Sequence, residues 1–360
     1  MLRSRIAAAL LAAAAVLVSG LVAVGQPAGA RPAPVGQDQI VPGAAYDGDF
    51  PDPWILRVGQ RYIAYATTSG GINVPLLTST DLRTWTARPE TADAPRGDAL
   101  PNAPTWAERF VKDGRYRAAT WAPAATRIRK GHYVLAYATE VRDASPGQRM
   151  CISLATSTTP TGPFVDRTIR PTVCPRRGAI DPQVYVAPTG RPWLVWKADH
   201  FPAKLWTRPM NRNGTRLLVK RPARFLAKVA QPWEGSIIEN PAMIRFRKRY
   251  YLFYSANSYA TSRYAIGYLI CKSWKGDCHR PRKRPLLATG GRIAGPGGPA
   301  PFVDTNRKLR LGYHAWTYGV VGYPVDDGCR TEPEGCPQRR LYVARLGVKD
   351  NGKLRVLGRY

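Results

Sequence analysis

Three carboxylates recur at one kind of position in this chain. Asp52 and Asp181 each directly precede a proline that opens an apolar run, and Glu239 lies one residue further back, in Glu239-Asn240-Pro241. Acids gathered in this way suit cleavage of a glycosidic bond. That reaction needs one carboxylate to deprotonate water and one carboxylic acid to protonate the departing oxygen. A third carboxylate beside the acid can orient it and raise its pKa by like-charge repulsion. Taken singly, an Asp-Pro pair is an ordinary turn opener, so the weight lies in the recurrence.

The same punctuation returns at Ala122-Pro123 and Ala300-Pro301. Five segments result, at intervals of roughly sixty to seventy residues, a period typical of solenoids, arrays and propellers. Each proline is followed by a short apolar stretch, a turn, and an aromatic stretch such as Arg61 to Thr67, His132 to Ala138 or Arg249 to Tyr254. These read as strands. A third strand follows in each repeat, as in Pro75 to Thr80 and Ala265 to Ile270. Three strands with room for a fourth make one small antiparallel sheet. Five such sheets predict an all-β fold, a five-bladed β-propeller, whose inner strands line a central channel. Equivalent residues then face one another, and Asp52, Asp181 and Glu239 form the floor of a pocket. Trp54, Trp106, Trp121 and Trp233 are the candidate aromatic walls, suited to the apolar faces of a sugar. Lys197, close in sequence to Asp199 and His200, and His314 are further candidates for contact with substrate. As a lone histidine, His314 fits a packed or hydrogen-bonded role better than metal ligation.

Composition sets the surroundings. Arg3 and Arg5, the apolar run Ala7 to Val24 and the small residues Ala28-Gly29-Ala30 form a secretory signal peptide over residues 1–30. Residues 31–45 read as an extended leader and 46–360 as one catalytic propeller domain. No second apolar span follows, so a secreted, extracellular protein without a membrane anchor is expected. Six cysteines in such a chain suggest disulfides. Their short separations favour sequential pairing, 151–174, 271–278 and 329–336, over zinc ligation, for which no CxxC or paired-histidine spacing exists. The formal net charge is +30, or about +28 without the signal. The basic residues are scattered and no nucleic-acid-binding signature accompanies them, so no specific nucleic-acid partner is expected. Weak attraction to acidic polymers is the expectation for a secreted protein of this charge.

Several stretches resemble glycoside hydrolase family 43, propeller enzymes acting on arabinans and xylans. They are Asp49-Phe-Pro-Asp-Pro-Trp-Ile-Leu, Thr120-Trp-Ala-Pro, Ile152 to Phe164, Ala179-Ile-Asp-Pro-Gln-Val-Tyr-Val and Ile238-Glu-Asn-Pro-Ala-Met-Ile. The resemblance spans residues 47 to about 350. It implies that Asp52 is the general base, Asp181 the residue tuning and orienting the acid, and Glu239 the general acid, with Glu234 a rival acid outside the repeat. It implies inversion in one displacement, with the Asp52 and Glu239 carboxyl groups roughly 6.5–9.5 Å apart. The implied activity is release of L-arabinofuranose from arabinan or arabinoxylan by a monomeric enzyme acting on a polysaccharide or oligosaccharide. A β-xylosidase, an endo-arabinanase or a non-catalytic sugar-binding propeller are the alternatives. A related fructan-cleaving family fits poorly, since its Asn-Asp-Pro, Arg-Asp-Pro and Glu-Cys triplets are here Pro51-Asp-Pro, Ile180-Asp-Pro and Glu239-Asn. One departure concerns cofactors. Many members carry a histidine after the blade-five Gly-Pro-Gly, beside a buried axial ion. Here Gly298 takes that place, and no cofactor is expected.

Overall fold

The computed structural model describes residues 43–360 apart from 113, 143–148, 318–320 and 324–336. The signal peptide and most of the leader therefore lie outside the described residues, as do Cys329 and Cys336. Among the described residues, backbone pairing builds five sheets in sequence order. Blade one holds β1 (Trp54–Val58), β2 (Arg61–Tyr65), β3 (Leu76–Ser79) and β4 (Thr86–Ala87). A two-stranded hairpin, β5 (Phe110–Lys112) and β6 (Arg115–Arg117), follows it. Blade two holds β7 (Thr120–Arg129), β8 (His132–Glu140) and β9 (Met150–Ser157); the bridges Ile152↔Val173 and Thr156↔Val165 occupy its fourth-strand position. Blade three is β10 (Ala179–Val186), β11 (Pro192–Ala198), β12 (Lys204–Pro209) and β13 (Arg224–Lys228). Blade four is β14 (Ile238–Phe246), β15 (Arg249–Ala256), β16 (Ala265–Ser273) and β17 (Gly276–His279). Blade five is β18 (Ile293–Val303), β19 (Leu309–Thr317), β20 (Arg339–Val348) and β21 (Leu354–Arg359). The protein is a five-bladed β-propeller.

The ring is closed by side chains. Each of the five main apolar clusters lies between two neighbouring blades. Ile63 and Tyr65 of β2 meet Leu135 and Tyr137 of β8, and Val134 of β8 meets Leu194 of β11. Trp193 meets Leu252 and Tyr254, and Tyr251 and Phe253 meet Leu311 and Tyr313. Phe302 and Val343 of blade five meet Ile55 and Tyr62 of blade one. Strand β15 shows why the sequence reads as a continuous apolar run there. Its alternate residues point to opposite faces, and both faces are covered: Leu252 and Tyr254 toward blade three, Tyr251 and Phe253 toward blade five. Two disulfides, Cys151–Cys174 and Cys271–Cys278, follow the sequential pairing.

The repeat starts are one backbone device. In blades two, three, four and five, the ladder slips at Trp121/Ala124, Ile180/Gln183, Glu239/Ala242 and Gly297/Ala300. An X-Pro pair sits inside each slip. Proline cannot donate a ladder hydrogen bond, and a bulge is where such a residue is tolerated in a sheet. The residue before each proline has positive φ: Asp52 49°, Ala122 44°, Asp181 55°, Asn240 47° and Gly298 60°. The fifth repeat therefore starts at Gly298-Pro299, two residues before the Ala300-Pro301 expected from sequence. Ala300, opposite Gly312, is already past the bulge. Two prolines in succession concealed the register.

Candidate active site

The left-handed conformation explains the residue types at the repeat starts. Asp, Asn and Gly tolerate positive φ better than other residues, and four of the five starts are Asp, Asp, Asn and Gly. Each bulge turns the side chain toward the axis and frees an amide from the ladder. Four of these amides are bound by a side chain of the preceding blade. Ala122 N–H donates to Thr67 Oγ1 at 2.9 Å, Asn240 N–H to Asp181 Oδ2 at 2.8 Å, Gly298 N–H to Ser255 Oγ at 2.9 Å, and Asp52 N–H to His314 Nδ1 at 2.8 Å. A small axial cavity of about 30 Å³, the room of one water, is lined by the five X-Pro pairs and their neighbours.

Above it opens a larger cavity of about 680 Å³, lined by Asp52, Asp181 and Glu239 together with Trp121 and Lys197. Asp52 is held on every side. Thr67 Oγ1 donates to its Oδ2 at 2.8 Å, Asn240 Nδ2 reaches Oδ1 at 3.5 Å, and Arg339 Nη1 lies 3.4 Å from both oxygens. Burial works to raise the Asp52 pKa, but Arg339, His314 and these hydrogen bonds together leave it below the usual carboxylate value. Glu239 is bracketed by Lys197 Nζ, 2.9 Å from Oε2, and Tyr264 OH, 2.7 Å from Oε1. Lys197 also pairs with Asp199 at 3.1 Å. Asp181 lies well above the ordinary carboxylate range, first through burial, then through repulsion from Glu239; Lys197 opposes the rise and Asp52 adds to it. Neighbouring buried carboxylates of this kind hold a proton in preference to ionising together.

The arrangement thus contains, on one cavity floor, a carboxylate held below the ordinary range, Asp52, and one held well above it, Asp181 beside Glu239. A hydrogen-bond chain joins them. Tyr264 OH lies 2.7 Å from both Glu239 Oε1 and Asn240 Oδ1, and Asn240 Nδ2 faces Asp52. The tyrosine has one proton to give, so with Glu239 protonated it can accept from the acid and donate to Asn240.

The family model for glycosyl hydrolases family 43 matches residues 45–342. The chain belongs to this family. It is 25% identical over 293 residues, 77% of this chain and 84% of the other, to the extracellular endo-alpha-(1->5)-L-arabinanase 1 of Bacillus subtilis (strain 168). Its fold is similar to that of a thermostable family-43 glycoside hydrolase, with a TM-score of 0.69 and 24% identity over 87% of this chain and 94% of the other. It is likewise similar to an endo-1,4-beta-xylanase from Bacteroides thetaiotaomicron VPI-5482, with a TM-score of 0.67 and 23% identity over 88% and 96%. The protein is a glycoside hydrolase of family 43.

Within this family 43 cavity, not every residue singled out from sequence lies at the wall. Trp121 and Lys197 do. Trp54 instead lines the axial cavity and donates its indole N–H to Ala125 O at 2.8 Å, joining blades one and two. Trp106 donates to Thr168 Oγ1 at 3.0 Å, away from the cavity lining. Trp233 stacks on Tyr254 at 6.0 Å and donates to Gln231 Oε1. His314 is fully buried behind Asp52, stacked 6.0 Å from Tyr264. Burial, and secondarily Arg339, pull its pKa down to about 3 against the pull of Asp52. With Nδ1 accepting, the neutral ring carries its proton on Nε2, which has no hydrogen-bond partner among the described residues. Glu234, the rival acid, is buried outside the cavity against Arg280 at 2.6 Å and accepts from Tyr254 OH at 2.5 Å. Among the described residues no group of three or more His, Cys, Asp or Glu could hold a metal ion.

Arg339, Asn240, Tyr264, Asp49 and Tyr323 were not singled out as site residues. Asp49 Oδ1 accepts from Arg339 N–H and Tyr323 OH, both at 2.8 Å, and so fixes the arginine beside Asp52. Tyr259, Trp316 and Tyr323 rings surround the Arg339 guanidinium within 5.8 Å. A signal existed. Tyr264 and Arg339 stand at or just before the third strand of their blades, on the cavity side, as the repeat starts do in the first.

Proposed function

We propose that this secreted enzyme hydrolyses arabinan or arabinoxylan with inversion, releasing L-arabinofuranose. The observation that carries the reading is the contrast on one floor between Asp52, pulled below the carboxylate range beside Arg339, and Asp181, held well above it by burial and by repulsion from the neighbouring Glu239. Asp52 takes a proton from water as that water attacks the anomeric carbon. Glu239 gives its proton to the departing oxygen in the same step. Asp181 orients Glu239 and keeps the proton on the pair, while Tyr264 and Asn240 carry a polar link between acid and base. Trp121, Phe110 and Tyr259 line the cavity where sugar faces would rest. The arabinanase of Bacillus subtilis supports an arabinan over a xylan substrate, and its extracellular location together with the two disulfides supports secretion. The xylanase likeness keeps a β-xyloside as the second reading.

The test is a screen of sugars released from arabinan, arabinoxylan and xylan, with the first-formed anomer followed by NMR. Free arabinose or arabino-oligosaccharides of inverted configuration are expected. Xylose alone would transfer the assignment to the second reading, and a retained configuration would refute the roles given to Asp52 and Glu239.

A further inference from the structure

The inner strands of the propeller start at the catalytic cavity and run away from it, so the turns that join them to the second strands share the opposite end of the ring. The two ends differ in charge: carboxylates outnumber the cations Arg109, Lys197 and Arg339 in the cavity lining, whereas cations predominate on the inner hairpins of the far end. Seven carboxylates line the cavity: Asp49, Asp52, Glu108, Glu140, Asp181, Asp199 and Glu239. At the far end, the inner hairpins carry exposed cations in four blades, including Arg57, Lys130, Arg247, Lys248, Arg307 and Lys308. None of these six is in an ion pair among the described residues. Asp304, on the blade-five hairpin, is buried and committed to Arg310 at 2.7 Å.

The backbone supplies a second, independent observation. Blades one, two and three place Gly59, Gly131 and Gly190 at the positive-φ position of this turn, with φ of 62°, 67° and 75°. That is the residue such turns favour. Blades four and five depart from it. Arg247 and Lys248 occupy a two-residue loop between the paired Phe246 and Arg249, with φ of 47° and 64°, and Arg307 sits at 57°. Two positive φ values define a type I′ hairpin, where Asn-Gly is preferred. Long basic side chains here carry a conformational cost that glycine lacks; Arg247 rests on the Phe246 ring at 5.5 Å, and neither Arg247 nor Lys248 is in an ion pair among the described residues.

We infer that the face opposite the catalytic cavity is a docking surface for a linear polyuronate, the acidic backbone of plant cell-wall pectin. Three of these six cations are arginines, Arg57, Arg247 and Arg307, whose planar fork matches a carboxylate bidentately. Docking on the far face leaves the cavity, at the opposite end of the inner strands, open to neutral side chains of the wall. The choice of a wall polyuronate rests on the proposed polysaccharide substrate; the charged face itself does not.

The experiment measures binding of the whole mature protein to polygalacturonate by affinity electrophoresis and co-sedimentation across a salt series. Duplex DNA and anionic phospholipid vesicles serve as comparison polyanions, and fully methyl-esterified pectin as the uncharged one. Three proteins are compared: wild type, R247N/K248G and R247E/K248E/R307E/K308E. R247N/K248G installs the turn the backbone prefers and should fold at least as well as wild type. Wild type should bind polygalacturonate and lose it as salt rises, because exposed charges are screened within about 10 Å at 0.1 M. R247N/K248G should bind about tenfold more weakly at low salt and the fourfold reversal not at all. Hydrolysis of a small chromogenic glycoside should be unchanged in both. No binding by wild type, undiminished binding by the variants, equal binding to methyl-esterified pectin, or stronger binding to DNA or vesicles would each overturn the inference. A protein that binds polygalacturonate but cleaves no arabinoside would refute the proposed substrate and leave the docking surface standing.

Discussion

Gly298 leaves open the space that His314 fills. A Cβ built on Gly298 would lie 2.7 Å from His314 Nδ1 and 3.0 Å from the Asp52 Cα, at a residue whose φ is 60°. The inner strand thus gives up a side chain so that a histidine from the next strand, β19, can reach the amide of Asp52. Gly298→Ala is expected to displace both neighbours. Overpacking of this kind costs about 1–3 kcal/mol, which a thermal melt would register, together with a fall in kcat. A variant with wild-type melting and turnover would show that the close approach has no bearing on Asp52.

His314 itself acts on the base through one hydrogen bond. His314→Phe keeps an aromatic ring against Tyr264 but removes the acceptor for the Asp52 N–H. A buried donor left unpaired costs about 1–3 kcal/mol. The expected result is a lower kcat with little change in KM. His314→Gln, which can offer an oxygen in place of Nδ1, should recover part of the loss.

The two reacting carboxylates should respond differently to substrate. Asp52→Asn is expected to lower kcat/KM by about 10²–10⁴-fold for every glycoside, since activating the water is always required. Glu239→Gln should be as damaging with a polysaccharide or alkyl glycoside but far milder with a nitrophenyl leaving group, which departs without protonation. Equal losses with both leaving groups would contradict the acid role.

The pH profile carries the electrostatics. Asp52, held low, must be ionised, and the Asp181–Glu239 pair must keep one proton, so activity falls at low pH as Asp52 protonates and at high pH as the pair loses its proton. Lys197 opposes the rise at Asp181. Removing its charge in Lys197→Met strengthens the pair's hold on the proton, and the alkaline limb should move to higher pH. Arg339 lowers the Asp52 pKa, so Arg339→Met should move the acid limb to higher pH. Initial rates across a buffer series distinguish the two shifts; limbs unmoved in both variants would contradict the charge assignments.

Glu234 is expected to matter for stability and not for chemistry. Its carboxylate accepts from Arg280, from Tyr254 and from the amides of Ala230 and Gln231. Glu234→Gln should lower stability by about 1.5–3 kcal/mol, the range for hydrogen bonds to a charged group, with kcat within a few-fold of wild type at a temperature where both are folded. A large loss of kcat with no loss of stability would restore it as the acid.

The periodic proline made the five blades legible, because one backbone device repeated itself in one residue type. Asp52 and Asp181 were legible for the same reason, since positive φ before proline favours a few residue types, and Glu239 was legible from its place next to Asn240, the equivalent start of blade four. Arg339 and Tyr264 were not, because their nearness to Asp52 and Glu239 arises from third strands that carry no comparable marker. The tryptophans misled in the opposite sense. Trp54 and Trp233 are large and near the repeat starts, yet each side chain turns into the seam between blades, where apolar area is buried. Blade five was misaligned because Pro299 and Pro301 both fit the pattern, and only the bulge separates them.

The link from His314 to Asp52 joins the last blade to the first. Asp52 belongs to the earliest propeller residues to leave the ribosome, whereas His314 and Arg339, which set its amide and its charge, are among the last. A chain truncated before blade five would carry Asp52, Asp181 and Glu239 and still have no defined base. Hydrolytic competence in this protein therefore waits on the synthesis of blade five, and a chain that lacks it is expected to be silent.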